Sequence, residues 1–151
     1  MSSEMEEEPT DVQLYESGKV LSMEWGKNGL WHRENGKPAV IEFWENGNVK
    51  EEQFFENGEY FRGGGLPTRV THYDTGAVKQ EFWEELPFLY DRAGDLPAIV
   101  TYNPDGSIFR KDWFREGVYY REGDKPEIEI YEDGKVVKAL KGTQVAEVSA
   151  F

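Results

Sequence analysis

The chain has no cysteine and only two histidines, and its 17 basic residues are outnumbered by 30 acidic ones. Without cysteine there is neither a disulfide framework nor a thiolate metal site. The formal net charge of −13 disfavours direct binding to a nucleic-acid backbone or an anionic membrane, both of which need clustered Lys and Arg. No apolar run approaches the roughly 18–20 residues of a membrane span. The first residues are acidic where a signal peptide would be basic and then apolar, and no Asn-x-Ser/Thr acceptor occurs, so a cytoplasmic location is expected. Helical periodicity is missing too: no window holds an i, i+3, i+4, i+7 apolar pattern for ten to twelve residues without a Gly or Pro interrupting it. Total apolar content is 38%, yet aromatics make up 15%, so large rings have to carry much of whatever core exists.

The chain does have a period. Five of its seven prolines, Pro9, Pro38, Pro67, Pro97 and Pro126, are spaced by 29, 29, 30 and 29 residues. Self-similarity at such a spacing marks stacked copies of one supersecondary unit. Nine residues after the first four prolines stands Gly18, Gly47, Gly76 or Gly106; Gly134 follows the fifth one residue early. Each is preceded by Ser, Asn, Thr or Asp, a pairing suited to hairpin turns. Two residues beyond each glycine the side chain is β-branched, at Val20, Val49, Val78, Ile108 and Val136. An aromatic column follows at Trp25, Phe54, Trp83 and Trp113. A second turn is expected at Asn28-Gly29, Asn57-Gly58, Leu86-Pro87 and Glu116-Gly117. Then come a second aromatic at Trp31, Tyr60, Tyr90 and Tyr119 and an arginine at Arg33, Arg62, Arg92 and Arg121.

The first strand of each unit reads Val12–Tyr15, Ile41–Trp44, Val70–Tyr73 and Val100–Asn103, with the repeat prolines expected to begin strands. The fold class that follows is all-β: an elongated antiparallel β-meander, an open repeat sheet of stacked hairpins with a period of 29–30 residues. Residues 1–8 form an acidic tail expected to be disordered, 9–140 a single β-repeat domain with units starting at the five prolines, and 141–151 a C-terminal tail. The truncated fifth hairpin is expected to cap the fourth unit.

Catalytic chemistry has little to work with, and the chain is read as not an enzyme and without cofactor. His32 and His72 fall in different columns, and neither has a second metal ligand or a nucleophile at suitable spacing. Glu51-Glu52 and Glu84-Glu85 are sequence neighbours that point to opposite faces of a strand. Gly63-Gly64-Gly65 lacks the Lys-Ser/Thr of a phosphate loop, and Asn103-Pro104-Asp105-Gly106-Ser107 lies on the recurring hairpin without the downstream glutamate of a calcium loop.

An arginine two residues after an aromatic lies on the same strand face, where its guanidinium can stack on a neighbouring ring or cap a carboxylate of the adjacent unit. The column Trp25, Phe54, Trp83 and Trp113 is read as a buried ladder rather than a stacking platform for bases. With the four glutamates of the leader set aside, the repeat body keeps a charge of −9. Glu42, Glu51, Glu52, Glu81, Glu84 and Glu85, on or near the central strands, are the candidate contacts to a basic protein partner.

Leu30-Trp31-His32-Arg33-Glu34-Asn35-Gly36-Lys37-Pro38-Ala39-Val40-Ile41, Trp44-Glu45-Asn46-Gly47 and Arg62-Gly63-Gly64-Gly65-Leu66-Pro67 carry a resemblance to the MORN-variant repeat family, found in antitoxin-like, phage and large-virus proteins. The resemblance covers roughly residues 9–140 and implies stacked β-hairpins and protein or membrane association, with no catalytic residues to carry over. The period is several residues longer than in the common MORN unit and the usual Gly-x-Gly is absent, which, with the charge, argues against lipid binding. The expected function is a non-catalytic protein-binding module, an acidic inhibitor or antitoxin-like binder, acting in the host cytoplasm if phage- or virus-encoded. A structural component of a larger assembly comes second, since open sheet edges suit homo-oligomer contacts, and an enzyme third.

Overall fold

The computed structural model describes residues 7–141, and every regular element in them is a strand. Unit one supplies β1 (Asp11–Leu14), β2 (Val20–Glu24), β3 (Gly26–Lys27) and β4 (Leu30–Trp31). Unit two supplies β5 (Val40–Phe43), β6 (Val49–Gln53), β7 (Phe55–Glu56) and β8 (Glu59–Tyr60). In unit three these become β9 (Arg69–His72), β10 (Val78–Phe82), β11 (Glu84–Leu86) and β12 (Leu89–Tyr90). Unit four holds β13 (Ile99–Tyr102), β14 (Ile108–Asp112), β15 (Phe114–Arg115) and β16 (Val118–Tyr119), and unit five ends with β17 (Ile128–Glu132) and β18 (Lys135–Leu140). The long strands form one ten-stranded antiparallel meander in the order β1-β2-β5-β6-β9-β10-β13-β14-β17-β18, and each of the first four units adds a two-stranded hairpin of its own.

Turn chemistry explains the period. In the first four long hairpins the glycine sits at φ +90 to +97°, and its N–H returns to the carbonyl three residues back, as from Gly18 to Tyr15 at 2.9 Å. This is a type I turn closed by a left-handed residue, and it forces a bulge into the second strand, where Gln13 faces Ser22 but Leu14 faces Val20. The fifth hairpin instead turns on two left-handed residues, Asp133 and Gly134, which is why its glycine comes one position early. The short hairpins turn on Asn28-Gly29, Asn57-Gly58 and Glu116-Gly117 as expected, but in unit three the turn is Pro87-Phe88 rather than Leu86-Pro87, with Leu86 pairing Leu89 and Phe88 at φ +66°. Gly58 also lies close to the preceding hairpin, where a Cβ would come within 3.1 Å of the Leu30 side chain and push it aside.

The repeat prolines stand two residues ahead of the strands rather than at their start. The residue after each proline is the first to join the ladder, as when Ala39 N–H donates to Gln53 and Ala39 C=O accepts from Trp25, both at 2.8 Å. The strands therefore end one residue earlier than the sequence suggests, leaving Tyr15, Trp44 and Tyr73 at the mouths of the long hairpins. There each ties its unit to the next: Tyr15 Oη donates to Phe43 C=O, Trp44 Nε1 to His72 C=O and Tyr73 Oη to Tyr102 C=O, at 2.5, 3.2 and 2.8 Å.

Two layers of side chains hold the sheet. The short hairpins cover one face, where Trp31, Phe55 and Tyr60 stack in succession with centroids 5.0 and 4.4 Å apart, and Tyr90, Phe114 and Tyr119 do the same at 5.1 and 4.2 Å. On the opposite face the arginine column closes over the first aromatic column. The guanidinium carbons of Arg33, Arg62, Arg92 and Arg121 lie 3.7, 3.9, 3.6 and 3.7 Å from the ring centroids of Trp25, Phe54, Trp83 and Trp113. Each arginine also donates through NH1 to the carbonyl of its repeat proline, at 3.2, 3.1, 3.0 and 3.0 Å. Trp25, Phe54 and Trp113 are buried and Trp83 is half-buried. Carboxylate capping is seen at Arg121, which binds Asp95 of the loop before Pro97 at 2.8 Å and Glu129 of unit five at 3.3 Å. Hydrogen bonds from Arg121 and Lys125 hold the Asp95 carboxyl down at about 2.

The fifth hairpin packs Ile128, Ile130 and Leu140 with Phe109 and Tyr119 and so covers unit four. Of the leading segment, Glu7 and Glu8 are described, and the Glu7 carbonyl accepts a 2.9 Å bond from Trp25 Nε1, so the ties of the repeat body include Glu7. The remainder of the two expected tails, 1–6 and 142–151, lies outside the described residues.

The arginine staple yields a quantitative expectation. In urea unfolding Phe54→Ala should cost about 3–5 kcal/mol and Arg62→Ala about 1–3 kcal/mol. The double variant should lose about 0.5–2 kcal/mol less than the sum, because stacking accounts for part of both losses. Strict additivity would show that ring and guanidinium act independently.

Candidate interaction surface

The six glutamates singled out in the sequence do not share one face. Strand alternation places Glu42 opposite Glu51 on the side the short hairpins cover, and Glu52 and Glu81 in one row with Val70 on the other. Most are engaged internally. Glu52 lies 3.0 Å from His72 Nε2, and Glu81 accepts a 2.5 Å bond from Tyr102 Oη. His32 is likewise a tie between units, its Nδ1 accepting the Asn57 N–H at 2.9 Å.

Glu51 and Glu84, from units two and three, meet on one arginine. Arg69 donates NH1 to Glu51 at 3.0 Å and Nε to Glu84 at 2.5 Å while its guanidinium lies 3.7 Å above the Phe82 ring. Glu84 is buried, and its second oxygen accepts the Phe88 N–H at 2.9 Å. The carboxylate thus fixes the Pro87-Phe88 turn from below. Sequence reading missed this cluster, although the repeat carried its signal. Arg69 stands where the other units have Asp11, Val40, Ile99 and Ile128, and Glu84 where they have Gly26, Phe55 and Phe114. Two opposite charges entering apolar columns of the same unit implicate each other. A related set in unit four joins Arg110 to Asp112 at 2.7 Å and Asp112 to Tyr119 Oη at 2.9 Å.

What the cluster holds out is the most exposed large apolar residue of the described chain. Phe88 is 76% exposed and has a left-handed backbone that an L-phenylalanine adopts at a cost. It belongs to a ridge formed by the short hairpins, on which Leu30, Leu86 and Val118 are also exposed, with the exposed acids Glu59, Glu85 and Glu116 beside them. Of the six candidate glutamates, only Glu85 is both fully exposed and adjacent to this ridge. Further exposed acids, Glu16, Glu45, Asp74, Asp105 and Asp133, stand one to each long-hairpin turn.

Among the described residues no group of three or more His, Asp or Glu could hold a metal ion, and no helix is long and apolar enough to cross a membrane. Comparison with protein-family models, with curated proteins and with solved structures found no match to the chain.

Burial raises the Tyr60 hydroxyl to about 12, reinforced by the Glu84 charge, and raises Tyr119 to about 12, reinforced by Asp112. A phenol whose folded value lies above its ordinary value near 10 favours the fold while neutral. That contribution is intact below about pH 10 and lost as pH rises through about 12. Absorbance at 295 nm should therefore show a set of tyrosines ionising late, together with loss of near-ultraviolet circular dichroism, and Tyr60→Phe should move that transition to higher pH. Phe88→Gly should leave the fold intact and raise its stability by about 0.5–1 kcal/mol, since glycine takes the left-handed turn without strain; a loss above about 1 kcal/mol would assign the ring a structural role.

Proposed function

We propose that this chain is a non-catalytic protein-binding module that engages a basic partner protein through the short-hairpin ridge. One observation carries the reading: a buried carboxylate holds the exposed, backbone-strained Phe88 at the crest of that ridge, between acidic side chains. Interfaces concentrate their energy in a few aromatic anchors, and charge around the anchor steers the encounter. Strain maintained at an exposed position that adds nothing to packing is a feature of sites rather than of scaffolding. On this reading the chain is an acidic inhibitor or antitoxin-like binder related to MORN-variant repeats and works in the cytoplasm, that of a host if it is phage- or virus-encoded. A second reading, a structural component of a larger assembly, is favoured by the two end strands of the sheet, whose outer edges nothing among the described residues pairs.

The test compares the chain with its Phe88→Gly and Glu85→Lys/Glu116→Lys variants. A captured partner is identified and its binding rates are measured. Phe88→Gly should weaken affinity at least about tenfold with no loss of thermal stability, the expectation for loss of an anchor. The lysine variant should slow association, as should salt raised from about 50 to about 500 mM, where the Debye length falls from about 14 to about 4 Å. Reversing Glu51 is unsuitable, because a lysine there would confront Arg69 inside the fold. A partner bound equally well by all three proteins would place recognition elsewhere, and an acidic one would overturn the reading.

A further inference from the structure

The sheet has two different ends, and each is half of an interface the molecule already makes four times. At every internal boundary the second long strand of one unit pairs with the first of the next in one register. Ser22, Met23 and Glu24 face Glu42, Ile41 and Val40; Glu51, Glu52 and Gln53 face Thr71, Val70 and Arg69. Gln80, Glu81 and Phe82 then face Thr101, Val100 and Ile99, and Arg110, Lys111 and Asp112 face Ile130, Glu129 and Ile128. Among the described residues β1 is a first strand and β18 a second strand, and nothing pairs with the outer edge of either.

We propose that copies of this chain associate head to tail, the outer edge of β18 pairing antiparallel with the outer edge of β1 of the next copy. Lys138, Ala139 and Leu140 would lie opposite Gln13, Val12 and Asp11. The register follows from equivalence, since Lys138, Ala139 and Leu140 face Ile130, Glu129 and Ile128 as Arg110, Lys111 and Asp112 face Thr101, Val100 and Ile99. The backbone is ready for it. Trp25 N–H donates to Ala39 C=O across the first boundary, so alternation turns both polar groups of Ile41 to the same neighbour, and those of its counterpart Val12 face outward. By the same alternation from Trp113 and Glu127, Ile128 and Ile130 turn to β18, which leaves the N–H and C=O of Ala139 on the outer edge. The two residues thus meet as a doubly hydrogen-bonded pair.

Side chains agree. Val12 is 43% exposed, whereas its counterparts with a unit before them are buried, Val70 at 7% and Val100 at 6%, or half-buried, as Ile41 is. Leu14, on the same edge strand, is exposed as well. A preceding β18 would cover that apolar strip with Ala139. Charge selects the pairing: β1 carries Asp11, and β18 carries Lys135 and Lys138. Pairing β1 with β1 or β18 with β18 would set like charges together, while head-to-tail pairing puts Lys138 diagonal to Asp11 on one face. Such a contact does not close on itself and propagates. It is weaker than the first three internal boundaries, because the tie made by Tyr15, Trp44 and Tyr73 has no counterpart at Glu132 and each copy carries a charge of −13.

The contact deepens the assembly reading and is independent of the basic-partner one. Sedimentation equilibrium of the full chain should show a mass that grows past the dimer between about 10 µM and about 1 mM, the range of a weak contact. Val12→Pro and Ala139→Pro each delete one outward N–H and no internal ladder bond. Each variant alone should be monomeric, and an equimolar mixture should stop at the dimer, since only one productive pair of edges remains. Should either fail to fold by circular dichroism, Lys138→Glu replaces it; that variant should weaken association at least about tenfold and be rescued by mixing with Asp11→Lys copies. A wild-type chain monomeric throughout overturns both this contact and the assembly reading. Association that survives the proline variants, or a mixture that grows beyond the dimer, overturns the contact and leaves assembly by another route.

Discussion

A guanidinium lying flat on a ring and bonded to a proline carbonyl is the interaction on which the repeat depends. Every unit must pass the chain from the end of its short hairpin, over the sheet edge, to the start of the next long strand. That passage is eight residues outside any strand. The arginine closes it at both ends, stacking eight residues back on Trp25, Phe54 or Trp113 and nine back on Trp83, and donating five residues ahead to Pro38, Pro67, Pro97 or Pro126. Proline suits the acceptor site because its fixed φ aims the carbonyl and it has no N–H left to satisfy. Lysine could not replace arginine, since a point charge on a flexible stem has neither the flat face nor the fixed fork. Once the crossing is fixed the register of the next strand follows, and with it every cross-strand pair.

The third unit departs from the pattern, and its departures are coupled. Where units two and four place Phe55 and Phe114, it buries Glu84; where the others have an X-Gly turn, it has Pro87-Phe88. A ring would fill the interlayer space without the desolvation cost of an ion pair, so stability alone is a poor reason for the exchange. The carboxylate has a use that a ring lacks, in accepting the Phe88 N–H while Arg69 neutralises it. The charge cluster and the strained turn are one device, paid for by Phe82, whose ring carries the arginine, and by Tyr60, whose hydroxyl titrates late beside it.

Most of the architecture was legible because period, turn residues and strand residues repeat together, so each copy checks the others. The all-β meander, the five long hairpins and the burial of Trp25, Phe54 and Trp113 follow from that redundancy. The Tyr15, Trp44 and Tyr73 ties were hidden because their acceptors are backbone carbonyls, which leave no mark in sequence. The unit-three turn was misplaced by one residue because proline and a left-handed phenylalanine do the work of Asn-Gly there, and φ at Phe88 is set by a carboxylate four residues away. The candidate surface was legible as a charge balance and not as a place. Composition counts Glu51, Glu52, Glu81 and Glu84 as acids, while the folded chain uses the first three as hydrogen-bond acceptors between units and Glu84 as one within unit three.

That internal use changes what the net charge means. Carboxylates that satisfy Arg69, His72, Tyr102 and Phe88 contribute to the count but little to an outward field, because their partners neutralise or enclose them. Much of the acidic charge left to act on solvent stands at turns: Glu59, Glu85 and Glu116 along the short-hairpin ridge, and Glu16, Glu45, Asp74, Asp105 and Asp133 along the long-hairpin turns. Both lines repeat with the sheet and flank it on opposite sides of its strands, whereas the end strands carry opposite signs. On the two proposals made above, a basic partner would meet the flanks, and a second copy, repelled there, would meet the ends. One sequence period thus separates two kinds of surface by geometry alone, since turns fall beside the strands and edges fall at the termini of the array.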